Sequence, residues 1–353
     1  MISKEMITFN IADIHNGESK TTAKHIYINM KEYLLQLPKL THMFVCGDFT
    51  HRQLTASSEE YQYTKKTFLL IVNYCIEKNI KLRFIEGTPS HDYRQVETLS
   101  LSVPPKCDFK YYKDVHIEYD KDYGAYILYV PDEMGDDRLD VLTKIKNKML
   151  ELNITKVDIA VMHGSFIFHM PGKTSYLIED FNFVEYFIVI GHNHTKSIVG
   201  NIITPGSYER NFYGEEESKG GYLIKISPFH KDLTIRFIEN INSHILDTID
   251  LTDCDMTNAS IKLLNKINGY KSQYLRVDIT NNSLIDKNVL IKLAKDNNIK
   301  LEIKNKKDKT INKNLILDTK FEDLNINRNN IIKLINSEIN DGNDYFELLK
   351  DLI

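Results

Sequence analysis

Between residues 7 and 194 one device recurs: an apolar run of strand length that closes on an aspartate or a histidine. ITFNIA (7–12) leads into Asp13 and His15, HMFVCG (42–47) into Asp48, and KLRFIEG (81–87) into His91 and Asp92. VDIAVM (157–162) leads into His163, and EYFIVIG (185–191) into His192 and His194. Amphipathic stretches and a sixth run, YILYV (126–130), lie between them, which is the pattern of an α/β layered domain. In such sheets the residues just beyond the carboxyl ends of the strands gather at one edge, so side chains far apart in sequence can share a site. A single histidine after a strand is commonplace; five runs closing in step predict convergence.

The clearest helix starts at Ser57, where Ser-Ser-Glu-Glu has the form of a capping box, and carries Tyr61, Phe68, Leu69, Val72 and Ile76 on one side. A second, over 137–152, places Leu139, Leu142, Ile145 and Leu150 at helical spacing. After Pro205, the runs GGYLIKIS (220–227), DLTIRFIE (232–239) and HILDTIDL (244–251) read as consecutive antiparallel strands. A new alternation follows: helix 256–268, strand 273–280, helix 283–297, strand 300–304 and strand 314–319, which predicts a small α+β domain. From Arg328 the apolar residues predict one or two short helices. The expected divisions are 1–242, 243–325 and 326–353.

Cys46, Cys75, Cys107 and Cys254 never form a CxxC, so neither a zinc knuckle nor a disulfide framework is indicated. No stretch reaches the roughly 18 uncharged apolar residues of a membrane span, and the N-terminus lacks the apolar core of a signal peptide. The expected address is cytoplasmic. Mixed histidine and carboxylate donors without thiolate suit manganese, iron or zinc. Seven such donors are too many for one ion and about right for two that share a carboxylate, a pairing suited to displacement at phosphorus. Phosphoester hydrolysis is the reaction class this predicts.

The motifs D-I-H (13–15), G-D (47–48), H-D (91–92), H-G (163–164) and G-H-N-H (191–194) resemble, in order and spacing, those of calcineurin-like metallophosphoesterases. The stretch TPGSYERNFYGEEESKGG (204–221) is similar to the signature of SbcD-type nucleases, the nuclease subunits of double-strand-break repair complexes. The fold implied is a two-sheet metallophosphoesterase sandwich flanked by helices, with a small α+β capping domain and a C-terminal helical segment. The resemblance implies that Asp13, His15 and His194 hold one divalent ion, that His163 and His192 hold the other, and that Asp48 bridges them. Manganese is the implied metal, with magnesium, iron and zinc as alternatives. His91 would stabilise the transition state or protonate the leaving oxygen, and Asp92 would orient its imidazole. The family's Gly-Asn-His-Asp is replaced by Gly87-Thr88-Pro89-Ser90-His91-Asp92. Aligned on His-Asp, Ser90 takes the place of the ligating asparagine and is expected to be a poorer donor.

Arg52 stands where superfamily phosphatases carry a phosphate-binding arginine, with His51 in place of the neighbouring aspartate. Arg52 and His169 are candidate substrate contacts; Glu209 and Arg210 are expected to brace the site, Arg210 also as a substrate contact. The formal net charge of -4 hides a polarity along the chain. Residues 271–320 carry 12 Lys/Arg against 6 Asp/Glu, including Lys304, Lys306 and Lys307, and form a candidate DNA-contacting stretch. Residues 321–353 carry 3 Lys/Arg against 7 Asp/Glu with an apolar stripe, a candidate helix-in-groove ligand. By resemblance, the partners are DNA, an SMC-like SbcC-type ATPase and a second copy of the chain, and the A·T-rich coding bias fits a phage-borne or plasmid-borne protein. Two other readings stay open: a phosphatase or cyclic-nucleotide phosphodiesterase, and a non-catalytic DNA-end-binding scaffold.

Overall fold

The structure, a computed structural model, describes residues 2–18, 20–132, 138–172, 175–227, 233–252, 254–269, 274–280 and 285–306. The strands are β1 (Met6–Ile11), β2 (His42–Cys46), β3 (Lys81–Ile85), β4 (Phe109–Tyr112), β5 (His116–Asp120), β6 (Ala125–Val130), β7 (Val157–His163), β8 (Val184–Gly191), β9 (Ser197–Val199), β10 (Ile202–Thr204), β11 (Gly220–Ile226), β12 (Leu233–Glu239), β13 (Leu246–Asp250), β14 (Tyr274–Thr280) and β15 (Lys300–Lys306). The helices are α1 (Ala23–Leu35), α2 (Glu59–Lys78), α3 (Pro89–Asp92), α4 (Gln95–Ser100), α5 (Arg138–Glu151), α6 (Met256–Gly269) and α7 (Lys287–Asp296). Residues 1–279 and 283–304 form one compact unit; the other, residues 280–282 and 305–353, lies almost wholly outside the described residues. The expected strand 314–319 and helical segment from Arg328 also lie outside them.

Two six-stranded sheets, ordered β12-β11-β1-β2-β3-β4 and β5-β6-β7-β8-β10-β9, form an α/β sandwich. Strands β1 to β4 run parallel, as do β6, β7, β8 and β10; the antiparallel pairs lie toward the sheet edges. Both faces of the central strands are covered, which is why they read as unbroken apolar runs. On β2, Met43 and Val45 face the helices while Phe44 and Cys46 face the second sheet. On β7, Ile159 and Val161 point into the sandwich and Ala160 and Met162 point toward α5. The period of two thus divides each strand between two cores.

Helix α2 opens one residue later than the sequence predicts. Ser58 is its N-cap, accepting from the N–H of Tyr61. Glu60, expected to complete the capping box, instead accepts from the N–H of Ala23 at 2.8 Å and so caps α1. On α5 the buried stripe is Val141, Ile145 and Met149, while Leu139 and Leu150 are exposed, because the core-facing row is set by the sheet beneath. Strands β11 and β12 are antiparallel as expected, but β13 leaves that sheet. It pairs in parallel with β14 through the crossover α6, in a three-stranded sheet ordered β13-β14-β15. This sheet and its two helices bury their own core around Leu263, Leu275, Val277 and Leu290.

Candidate metal centre

Strands β1, β2 and β3 of one sheet and β7 and β8 of the other end at a common edge, where their terminal side chains form three donor groups. Asp13, His15 and His194 make one; His15, Asp48 and His91 a second; Asp48, His163 and His192 a third. Within each group one donor atom per residue lies within 4.8 Å of the others. All seven of these residues were candidates from sequence.

The local backbone is bent to achieve this. Asp13, His15 and Asp48 have φ near +50° and His192 has φ +93°, conformations uncommon for residues with a side chain and often found at functional sites. The turns are fixed by hydrogen bonds between the loops: Asp13 N donates to Gly47 O, and His15 N to Asp48 O. Gly47 has φ +82°, and a Cβ there would overlap the His163 ring. A Cβ on Gly87 would overlap the backbone of Asp48, so only glycine lets the two loops meet.

Asp48 is the common member of two groups. Its carboxylate lies 2.8 Å from His91 Nδ1, 3.4 Å from His163 Nε2 and 3.8 Å from His15 Nε2. Burial pushes its carboxyl up, but the neighbouring imidazoles, His163 foremost, hold it well below the ordinary range. Asp13 shows the opposite balance: burial dominates and its carboxyl rises to about 6. His163 Nδ1 donates to Cys46 O at 2.8 Å, which leaves Nε2 as the nitrogen facing Asp48. His15 Nε2 and His194 Nε2 face each other at 2.9 Å beside the Asp13 carboxylate. Facing imidazole nitrogens and buried carboxylates are a donor set that fits divalent cations.

Four residues beyond the predicted ligands and His91 complete the site. Thr88 Oγ1 lies 3.3 Å from Asp48 Oδ2, His163 Nε2 and His192 Nδ1. His51 stacks on His91 with ring centroids 5.4 Å apart and meets His15 edge-on. Lys219, buried to 2% exposure, donates to His194 O at 3.1 Å and pairs with Glu215 at 3.0 Å. Glu215 also lies 3.6 Å from His194 Nδ1, so the acidic and lysine positions of the 204–221 stretch grip the back of that ring.

Several expected roles fall elsewhere. Ser90 is exposed on α3, which Pro89 opens, and it is Thr88 that faces the ligands instead. Asp92 does not orient His91, whose Nδ1 donates to Asp48. Its oxygens accept from Gly87 N, Thr50 N and Thr50 Oγ1, tying the two ligand loops together. Burial beside Asp48 and Glu86 raises its carboxyl to about 8. Arg210 directs its guanidinium to the carbonyls of Glu215, Glu217 and His244 and to Ser243 Oγ, and so ties the 204–221 stretch to residues 243–244. Glu209 is fully buried and accepts from Asn29, Asn240 and the N–H of His244. His169 Nε2 sits with Thr204 and Ser197 and outside the donor groups. Arg52 is exposed next to His51, Lys304 and Lys306 are exposed on β15, and Lys307 is outside the described residues.

Among the described residues, no helix is long and apolar enough to cross a membrane. No sequence-family profile matches the chain, and no curated protein matches it. Among solved structures it is similar to TT1561 of Thermus thermophilus, at 11% identity over 66% of this chain and 99% of that one, with a TM-score of 0.38. It is also similar to a structure described as a novel archaeal phosphodiesterase, at 11% identity over 66% and 99%, with a TM-score of 0.33. A third likeness is to GAP50, described as the anchor in the inner membrane complex of Plasmodium, at 10% identity over 69% and 87%, with a TM-score of 0.39. None of these likenesses bears on chemistry, which rests on the donor geometry.

Proposed function

We propose that this protein is a metal-dependent phosphodiesterase that hydrolyses DNA with two divalent ions, manganese foremost. The observation that carries the reading is the shared position of Asp48 between imidazoles from both sheets, with Asp13, His15 and His194 beside it. Two ions held by these residues would supply Lewis acidity toward a phosphoryl group. Asp13, His15 and His194 would hold one, and His163 and His192 the other, with Asp48 common to both. His91 keeps Nδ1 on Asp48 while its side chain remains 31% exposed, so its other ring edge is available to a leaving oxygen. The stacked His51 fixes the plane of that ring.

Support for DNA as substrate comes from the sequence: the 204–221 stretch similar to SbcD-type nucleases, and the basic run that includes Lys304 and Lys306. On that basis the partners proposed are an SMC-like SbcC-type ATPase and a second copy of the chain. With manganese, the protein is expected to degrade a labelled linear duplex and to act poorly on p-nitrophenyl phosphate. Asp48→Ala and His91→Ala should each lower cleavage by at least about a hundredfold, the scale of losing a catalytic acid. A preference for the small phosphomonoester would identify a phosphatase, and wild-type activity in either variant would refute the site.

A further inference from the structure

We propose that the Thr88 hydroxyl is itself an ion ligand, the fourth donor of the group formed by Asp48, His163 and His192. This rests on the two-ion reading of the cluster and adds to it a residue that the sequence comparison had passed over in favour of Ser90.

The geometry is specific. Oγ1 lies 3.3 Å from one donor atom of each of the three ligands, so it occupies the open side of that group. Thr88 is also the N-cap residue of α3, where a threonine hydroxyl ordinarily accepts from a backbone N–H of the first turn. Here it makes no such bond: the N–H groups of His91 and Asp92 go to the Thr88 carbonyl, and the hydroxyl is turned to the ligands. Three features hold it there. Pro89 confines the preceding residue to extended backbone, as its ψ of 126° shows. The Thr88 N–H donates to Asp48 Oδ1 at 2.5 Å. Gly87, which has no room for a side chain, lets the loop close against Asp48.

A hydroxyl is a hard, neutral oxygen donor, and β-branching limits its rotamers. It would therefore favour a hard divalent ion at this position while adding no charge, making the Asp48–His163–His192 position the weaker of the two. The first group, which adds the Asp13 carboxylate to the shared Asp48, would fill first.

The test is a titration of manganese(II) into the full chain, read by calorimetry and by the electron paramagnetic resonance of unbound manganese. Wild type is expected to take up two ions with separable affinities. Thr88→Val keeps the shape and removes the oxygen, and should weaken the second ion by about tenfold with the first unchanged, the scale of losing one supporting group. Thr88→Ser keeps the oxygen and should stay within about threefold of wild type at both, short of the loss in Thr88→Val. Two wild-type affinities in Thr88→Val, an equal loss at both positions, or a loss in Thr88→Ser as large as in Thr88→Val would each overturn the assignment and leave the two-ion reading standing. If wild type binds no ion, that reading falls and takes the Thr88 assignment with it.

Discussion

Asp92 shows how a residue can lie next to the chemistry and serve the backbone. Both its oxygens accept from N–H groups, of Gly87 and of Thr50, and it is fully buried. Asp92→Asn keeps the size but must turn an amide N–H2 toward one of those donors. On the order of 1–3 kcal/mol of stability should be lost, the cost of a buried unmatched donor, measurable by urea unfolding without added metal. A variant as stable as wild type would show that Asp92 is not the brace. The seven converging donors were legible from sequence because each lies within four residues of the end of an apolar run, and parallel strands deliver such residues to one edge. Thr88 and Ser90 were not separable that way. Which hydroxyl faces inward depends on the turn that Pro89 starts, and alignment on His91-Asp92 counts residues without following that turn.

At the scale of elements, the two helices over the first sheet are joined through an end as well as a face. Glu60, in the first turn of α2, supplies the acceptor for Ala23 N, beside the α1 cap at Thr22. Glu60→Ala should cost about 0.5–2 kcal/mol, a cap's worth, and should increase amide exchange at the start of α1. An unchanged unfolding midpoint would count against the contact. Helix α1 itself escaped the sequence reading because its buried side mixes Ile26, Met30, Tyr33 and Leu34 with Asn29, which is occupied with Glu209. Strands β4 and β5 escaped it because they are four and five residues long and sit at sheet edges. The direction of β13 was misread for a different reason: a run of alternating residues states that it is a strand and says nothing of which neighbour it will take. Its true partner, β14, is reached only through α6.

For the whole molecule, the two sheets are laced along one edge by charge as well as packed by apolar contact. Glu118 on β5 of the second sheet accepts from Arg83 Nε and Nη2 on β3, Lys110 Nζ and Tyr112 OH on β4, and Tyr129 OH on β6. Two residues along, Asp120 accepts from His42 on β2 and Lys81 on β3. Burial pushes the Glu118 carboxyl up, but Arg83 and the other donors outweigh it and hold it at about 2. A carboxyl depressed in the folded state contributes stability that is full above its unfolded value near 4.3 and is lost as pH falls toward 2. The contribution is at most about 3 kcal/mol at neutral pH. Glu118→Gln should therefore be less stable at pH 7 and show a shallower loss of stability between pH 4.5 and 2. Parallel stability curves for the two proteins would contradict the linkage.

The first donor group has a mechanical consequence. Its members leave different sheets, Asp13 and His15 after β1 and His194 after β8, and His15 and His194 are 179 positions apart. An ion gripped by all three would fasten the open edge of the sandwich as a staple does, closing a ring of chain that runs through β2 to β8 and so holds strands of both sheets. Held by the folded chain and released on unfolding, the ion would add stability that rises with its free concentration, so it would bear on how firmly the sheets stay together as well as on what happens at their edge.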